Sequence, residues 1–233
     1  MCNDSADTPH QGLAKPTGSL GALVVSGGKF SIPLLYNELY GIAVWLRDES
    51  ARWEARGETV AACRCALACI LHCFLTLEAY INTYAAWCAL RSGSPISLET
   101  VDRLIQLPTD AKWLLFPWLF IGRPAFDAGS EPFQSFARLK KLRDNFIVHP
   151  KPQVNKEGMA EDRAAEDSWL AAVYGIGTVP TTVGGWPEPR CDAKGAEEAC
   201  ETVRRMWRAL EQAQAGCPRS PSVPPLELFD ASS

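Results

Sequence analysis

The longest apolar segment of the chain, residues 58–91, limits the possible folds more than any other feature. Residues 65–77 are apolar nearly all round, and at 1.5 Å per residue the whole segment would form one helix about 50 Å long. A membrane-spanning helix needs about twenty apolar residues, and Arg64, His72 and Glu78 interrupt this segment. The pattern therefore predicts the central helix of a helical bundle, and we expect no membrane association.

Helical periodicity recurs on both sides of the central segment. The other predicted helices span residues 34–56, 97–105, 110–121, 134–149, 160–174 and 194–214. The first of them is predicted to bury Leu35, Leu39, Ile42, Leu46 and Trp53, and the last to bury Ala199, Val203, Met206, Trp207 and Leu210. The predicted fold class is all-α: a helical bundle built on a long central helix, with a Gly/Pro-rich insertion before the last helix.

Composition divides the chain into one domain and two polar ends. A chain of 233 residues can bury a sizeable core, and a hydrophobic content of 47% with eight Trp excludes global disorder. Residues 1–22 are expected to form a disordered lead-in, 23–215 a single helical domain that includes the insertion at 152–193, and 216–233 a proline-rich tail. The first fifteen residues lack an apolar run, so we expect no signal peptide and a cytoplasmic protein.

Nine cysteines without a CxxC pair indicate neither a disulfide framework nor a zinc ribbon. Cys65, Cys69 and Cys73 recur every fourth residue, and His72 lies beside them. Metal binding is one interpretation of this spacing. The favoured interpretation is that these cysteines are small apolar packing residues on a buried helix, since free Cys is among the most buried residue types. We therefore expect no metal site and no cofactor, and free thiols fit a reducing cytoplasm.

The predicted helix at 134–149 carries an arginine on its apolar face. Pro150 disfavours helical geometry at His149, so the helix should end there. At about 100° per residue, Arg143 lies among the apolar side chains, and an arginine buried there must be paired. These apolar side chains are Phe136, Leu139, Leu142, Phe146 and Ile147. From spacing alone, Arg143 can be a structural ion-pair residue and His149 a C-terminal helix cap.

The end of this helix also matches a short motif. The segment contains Arg143, the polar Asp144, a short apolar spacer and then His149 before a Pro-Lys pair. This order resembles the Arg–polar–spacer–His signature of the HEPN superfamily (higher eukaryotes and prokaryotes nucleotide-binding). Many active members have Asn directly after the Arg, whereas here Asn145 comes second, behind Asp144. The resemblance implies a catalytic site made of Arg143, Asp144, Asn145 and His149.

A second segment supports the resemblance by its order along the chain. Glu78 and Asn82, in LEAYIN at 77–82, resemble the Glu-x-x-x-Asn pattern that HEPN-like domains carry on an earlier long helix. They lie one turn apart on one helix face. One interpretation is that the two residues form the polar edge of a core helix. The other is that Glu78 joins the catalytic site as a partner for Arg143, while Asn82 positions a phosphate or ribose. The resemblance implies an all-helical, often dimeric domain, and many members are metal-independent endoribonucleases.

The residues present can account for RNA cleavage without a metal ion. Such cleavage needs a base for the 2′-OH proton, an acid for the leaving 5′-oxygen, and positive charge near the developing phosphorane. His149 at a helix C-terminus, where the dipole favours imidazolium, suits the acid, and Arg143 supplies a fork for phosphate. A net charge of −4 argues against a dedicated high-affinity nucleic-acid binder but leaves room for a local basic strip. The expected RNA-binding residues are Arg138, Lys140, Lys141 and Lys151, together with Asn82.

Arg143 and His149 lie about 120° apart on a regular helix. They converge only if the helix end is distorted or if two such helices meet across a dimer axis. HEPN-like ribonucleases are similar in using the second arrangement, so we expect a homodimer. The expected function is cleavage of single-stranded RNA in a toxin–antitoxin or phage-defence setting, with an antitoxin or regulatory protein as a further partner.

The competing interpretation is a non-catalytic helical module for dimerisation or for binding a partner protein or nucleotide. In it, Arg143 and Glu78 form a buried pair, His149 caps the helix, and the apolar segment 112–120 binds a partner. Glu78 is the acid embedded in the apolar central helix, and it is therefore the expected ion-pair partner of Arg143.

Overall fold

The computed structural model describes residues 22–24, 31–90, 94, 96–144 and 191–215, with the backbone alone at 22–24 and 31–33. Within these ranges the chain is an all-α helical bundle, which confirms the predicted fold class. Its helices are α1 (Leu35–Ala55), α2 (Thr59–Ala89), α3 (Leu98–Leu104), α4 (Thr109–Ile121), α5 (Phe133–Leu142) and α6 (Ala193–Gln214). The predicted helix at 160–174, the tail at 216–233, residues 1–21 and nearly all of the insertion lie outside the described residues.

α2 is the centre of the bundle, as the apolar segment predicts. It contacts each of the other five helices described above. A helix with neighbours on several sides needs apolar residues on several faces, which explains a composition that is apolar nearly all round. By length and composition alone Thr59–Ala89 could also cross a membrane, and 44% of its most apolar window is buried inside the bundle.

α1 is joined to α2 by a tight turn at Gly57, where the chain was expected to break. Gly57 has φ +78, a left-handed conformation that a residue without Cβ adopts at no steric cost. Its N–H donates to the carbonyl of Glu54 at 2.9 Å and so satisfies one of the last carbonyls of α1. The short turn brings α1 back along α2.

The face that α1 buries was predicted wrongly in part. Leu46 is buried, but Leu35 is 47% exposed. The buried residues of α1 are Tyr36, Asn37, Tyr40, Ala43, Val44, Leu46, Glu49 and Ser50. Two tyrosines take the core positions that the periodicity assigned to leucines, because their rings bury a large area while their hydroxyl groups can reach polar partners.

An aromatic cluster joins α2, α4 and α5. Trp113 of α4 is fully buried and stacks on Tyr80 of α2, with ring centroids 6.2 Å apart. Phe136 of α5 stacks on Phe74 of α2 at 6.2 Å and meets Trp113 at 6.3 Å. Offset and edge-on aromatic pairs add stability beyond their buried area. The inner side of the apolar segment 112–120 therefore belongs to the core, and α5 is held against α2 beside the motif residues.

A pair of short antiparallel strands precedes α1 and was not predicted. Strands β1 (Ala22–Val24) and β2 (Ser31–Pro33) pair with Ala22 opposite Pro33. Strands of three residues carry too few positions for an alternating pattern to be recognised, so the sequence shows no strand signal here.

Candidate functional site

Arg143 follows the last residue of α5 and turns toward the core, as the helical geometry predicts. Its Cζ lies 3.9 Å from the centroid of the Phe74 ring on α2. Its Nη2 lies 2.7 Å from Asp144 Oδ1, and its side chain is 21% exposed. Its Nε is buried and has no hydrogen-bond partner among the residues that the structure describes. The guanidinium is thus held by one carboxylate and one aromatic face, which is attractive to a cation.

Glu78 has a different partner from the one expected. Its Oε1 lies 3.4 Å from Lys112 Nζ, and it accepts a hydrogen bond from Thr109 Oγ1 at 2.9 Å. The predicted Glu78–Arg143 pair is therefore wrong, since Glu78 pairs with Lys112 and Arg143 with Asp144. The physical reason is that the polar edge of α2 faces α4, whereas Arg143 lies over Phe74, one turn earlier on α2.

Lys112 is a buried cation with a full set of acceptors. Its side chain is 2% exposed. Its three N–H groups face Glu78 Oε1, Asn82 Oδ1 at 2.9 Å and the carbonyl of Ile105 at 3.2 Å. A buried ammonium is tolerated when every donor is used in this way. Glu78 and Asn82 thereby fasten α2 to α4 and to the end of α3.

The first turn of α4 links the two motif segments indirectly. Thr109 bonds Glu78, and the next residue, Asp110, lies 3.5 Å from Lys140 of α5. Lys140 Nζ also lies 3.7 Å from Asp144. An acid in the first turn of a helix is favoured by the helix dipole. α4 thus links the Glu78 network to the network around Arg143, although Glu78 and Arg143 do not pair with each other.

The basic strip of α5 is largely neutralised by acids. Arg138 Nη2 lies 2.7 Å from Glu131, whose pKa is lowered by hydrogen bonds from Ser135 and Arg138. Lys140 and Arg143 are paired as described above, and Lys141 is exposed. Four basic side chains therefore face three acids: Arg138, Lys140, Lys141 and Arg143 against Glu131, Asp110 and Asp144. Affinity for a nucleic-acid backbone rises with the number of phosphates neutralised, so this strip alone offers weak attraction.

Three of the predicted site residues, Asn145, His149 and Lys151, lie outside the described residues, and their roles stay predictions. Sequence reasoning missed Phe74, Thr109, Asp110 and Lys112 as members of the site. The available signal was a lysine at the head of the apolar run KWLLFPWLF, because a charge in such a run needs a buried partner.

A second group of reactive side chains lies between α2 and α6. The sulfur atoms of Cys69, Cys73 and Cys200 are mutually in contact, and they form a set within the described residues that is spaced for a metal ion. Hydrogen bonds from the Cys69 and Cys73 thiols lower the pKa of Cys200 to about 5. The pKa of Cys69 is raised by its hydrogen bond to Cys200, and that of Cys73 by burial. The three sulfur atoms therefore interact as one hydrogen-bonded group. The sequence pointed to Cys65 instead of Cys200, since Cys200 is distant along the chain.

Comparison with family models, with curated proteins and with solved structures finds no match to this chain.

Proposed function

We propose that this chain is a HEPN-like, metal-independent endoribonuclease that cleaves single-stranded RNA. The observation that carries the proposal is the series of contacts that links the two motif segments through the first turn of α4: Thr109 bonds Glu78, Asp110 pairs with Lys140, and Lys140 lies near Asp144. The segments are distant along the chain, and a shared site is what the HEPN resemblance requires of them. The proposed site lies at the C-terminal end of α5.

Arg143 is the proposed phosphate-binding residue. A guanidinium has five N–H donors, and its contact with Asp144 involves Nη2, so donors remain for a phosphate oxygen. Packing on Phe74 fixes the plane of the guanidinium, and the rigid fork can then meet phosphate in two-point contact.

His149 is the proposed general acid. The 2′-hydroxyl oxygen attacks phosphorus, the bond to the 5′-oxygen breaks, and the His149 imidazolium protonates the departing oxygen. In a homodimer with both motifs lining one cleft, the second, neutral histidine accepts the 2′-hydroxyl proton. The products are a 2′,3′-cyclic phosphate and a 5′-hydroxyl. A cytoplasmic toxin–antitoxin or phage-defence setting, with an antitoxin as partner, follows from the same resemblance.

The test is cleavage of single-stranded RNA by the purified full-length protein in the presence of EDTA, with the product ends identified by mass spectrometry. We expect 2′,3′-cyclic phosphate ends, and we expect His149→Ala to abolish cleavage without changing the melting temperature. His10→Ala is the matched control, since it removes another histidine and should leave the rate unchanged. Cleavage that persists in His149→Ala, or that EDTA stops, would contradict the mechanism.

A non-catalytic helical module is the second candidate, and one observation favours it. Glu78 and Asn82 complete the acceptor set of the buried Lys112, so both residues already have a structural role between α2 and α4. In this role the protein binds a partner protein or a nucleotide. The purified protein would then leave RNA intact even at stoichiometric concentration, and His149→Ala would have no effect in any RNA assay.

A further inference from the structure

Three buried thiols from two helices meet at one point of the core. Cys69 and Cys73 lie one turn apart on α2, and Cys200 comes from α6. The distances between their sulfur atoms are 4.0 Å for Cys69–Cys73 and 3.7 Å for each pair with Cys200. All three residues are 0% exposed.

These separations fit a bound metal ion without rearrangement. A point equidistant from three sulfurs at those separations lies about 2.2 Å from each, close to the zinc–thiolate bond length of about 2.3 Å. An ion with bonds of that length would sit slightly out of the plane of the sulfurs. The helices already hold the three sulfur atoms in place, because α2 and α6 pack along each other.

We infer that Cys69, Cys73 and Cys200 bind one thiophilic d10 metal ion as a three-thiolate site, with Cu⁺ as the preferred ion. Soft thiolate ligands select Cu⁺, Zn²⁺ and iron–sulfur clusters among biological metals. Structural zinc sites almost always have four protein ligands. In the described part of the chain, the ligand set at this point consists of these three cysteines, a number that suits Cu⁺.

One cationic side chain acts on the thiols from α1. Arg47 of α1 is close enough to act electrostatically on both Cys69 and Cys200. Its side chain is 14% exposed and is fixed by Asp48 at 2.8 Å and Glu197 at 3.3 Å. Because two carboxylates already pair with this cation, it offsets only part of the charge that three thiolates and one monovalent ion leave in the core. The site is closed to water, so the ion would enter as the chain folds, and binding would add to the stability of the fold.

The direct test uses the unaltered full-length protein. The protein is reduced and stripped of metal without oxygen, unfolded in urea, and refolded with increasing Cu⁺ in competition with the chromophoric Cu⁺ chelator bathocuproine disulfonate. We expect one equivalent of Cu⁺ to be retained against the chelator and to raise the melting temperature. X-ray absorption at the copper edge should show three sulfur neighbours at about 2.3 Å, a bond length like that of zinc thiolates.

Single substitutions identify the ligands. We expect a loss of the tightly held Cu⁺, with affinity lowered at least ten-fold, in each of Cys69→Ala, Cys73→Ala and Cys200→Ala. Circular dichroism should show unchanged helix content in all three variants. Cys65→Ala is the matched control, since Cys65 lies one turn before Cys69 on the same helix but outside the cluster. The double variant Cys63→Ala/Cys191→Ala removes a second pair of hydrogen-bonded thiols and should also keep the site.

Two results would overturn the inference. One is retention of no more Cu⁺ by the unaltered protein than by Cys200→Ala, which would leave the cluster as thiols packed in contact. The other is a disulfide between Cys200 and a cysteine of α2 in protein isolated with reductant and without oxygen. The X-ray absorption measurement needs no variant, so the inference stays testable if an alanine variant fails to fold.

Discussion

At the scale of single residues, the decisive interaction is the pairing of Lys112 with Glu78 and Asn82. The two charged partners are unequal, because the lysine side chain is 2% exposed and the glutamate side chain is 33% exposed. An ammonium that loses its acceptors in the core cannot be hydrated, whereas a carboxylate that loses its lysine can still reach water. Removing the glutamate should therefore cost more stability than removing the lysine, and this difference can be measured.

We expect Glu78→Ala to lower the free energy of unfolding by about 3 kcal/mol, because it leaves a buried charge with a missing partner. Lys112→Met should cost less, about 1–2 kcal/mol, since the methionine fills the space and the carboxylate hydrates. The double variant should lose less than the sum of the two. Urea denaturation with a common slope measures all three values.

Glu99→Ala is the matched control for this cycle. Glu99 pairs with Arg103, but both side chains are 79% exposed, so its loss should change stability by less than about 0.5 kcal/mol. Equal and additive losses for Glu78→Ala and Lys112→Met would show that the network does not act as a unit. Glu78 would then be free for a role at a substrate.

At the scale of helices, α6 follows its predicted pattern closely. The predicted stripe of Ala199, Val203, Met206, Trp207 and Leu210 is buried throughout. The helix begins at Asp192, whose Oδ1 accepts a hydrogen bond from the Gly195 N–H at 2.7 Å. This cap satisfies one of the free N–H groups of the first turn. It also sets the start of the helix that carries Cys200 into the core.

Asp192→Ala should lower the free energy of unfolding by about 1 kcal/mol through loss of the N-cap. Asp192→Asn is the matched control, because its side-chain oxygen also accepts from the backbone and caps helices about as well. Thermal unfolding followed by circular dichroism compares the two variants. Equal melting temperatures for Asp192→Ala and the unaltered protein would mean that the cap does not contribute to the stability of α6.

At the scale of the whole molecule, the proposed ribonuclease depends on two copies of the chain. Arg143 faces Phe74 in its own bundle. On a regular helix, His149 would lie about 120° away from Arg143 and would therefore face elsewhere. A two-fold axis beside the end of α5 would bring two motifs into one cleft. The proposed mechanism requires this dimer, because the histidine that accepts the 2′-hydroxyl proton comes from the second copy.

Sedimentation velocity at micromolar concentration tests this requirement. We expect a species of twice the 25.5 kDa chain mass. Lys141→Glu reverses the charge of an exposed residue near the end of α5, and it should weaken a dimer whose axis passes there. Glu58→Lys, an exposed change between α1 and α2, is the matched control. A monomer at this concentration would refute both the dimer and the composite cleft.

The sequence by itself determined the all-α class, the central position of α2, the break at Gly57 and the buried stripe of α6. These features follow from composition and from a period of 3.6 residues, which are local properties of the chain. The same period placed Arg143 on the apolar side of its helix. It failed in part for α1, where two tyrosines take core positions expected for leucines, because apolar residues on more than one face leave the inner side undetermined.

Only the tertiary structure decided which buried side chains meet. Periodicity states that a residue faces inward, but it does not state which helix it faces, since that depends on how the helices pack. Glu78 was therefore assigned to Arg143 and proved to pair with Lys112. For the same reason the spacing of Cys65, Cys69 and Cys73 on one helix could not indicate Cys200, which α6 brings to within 3.7 Å of Cys69 and of Cys73.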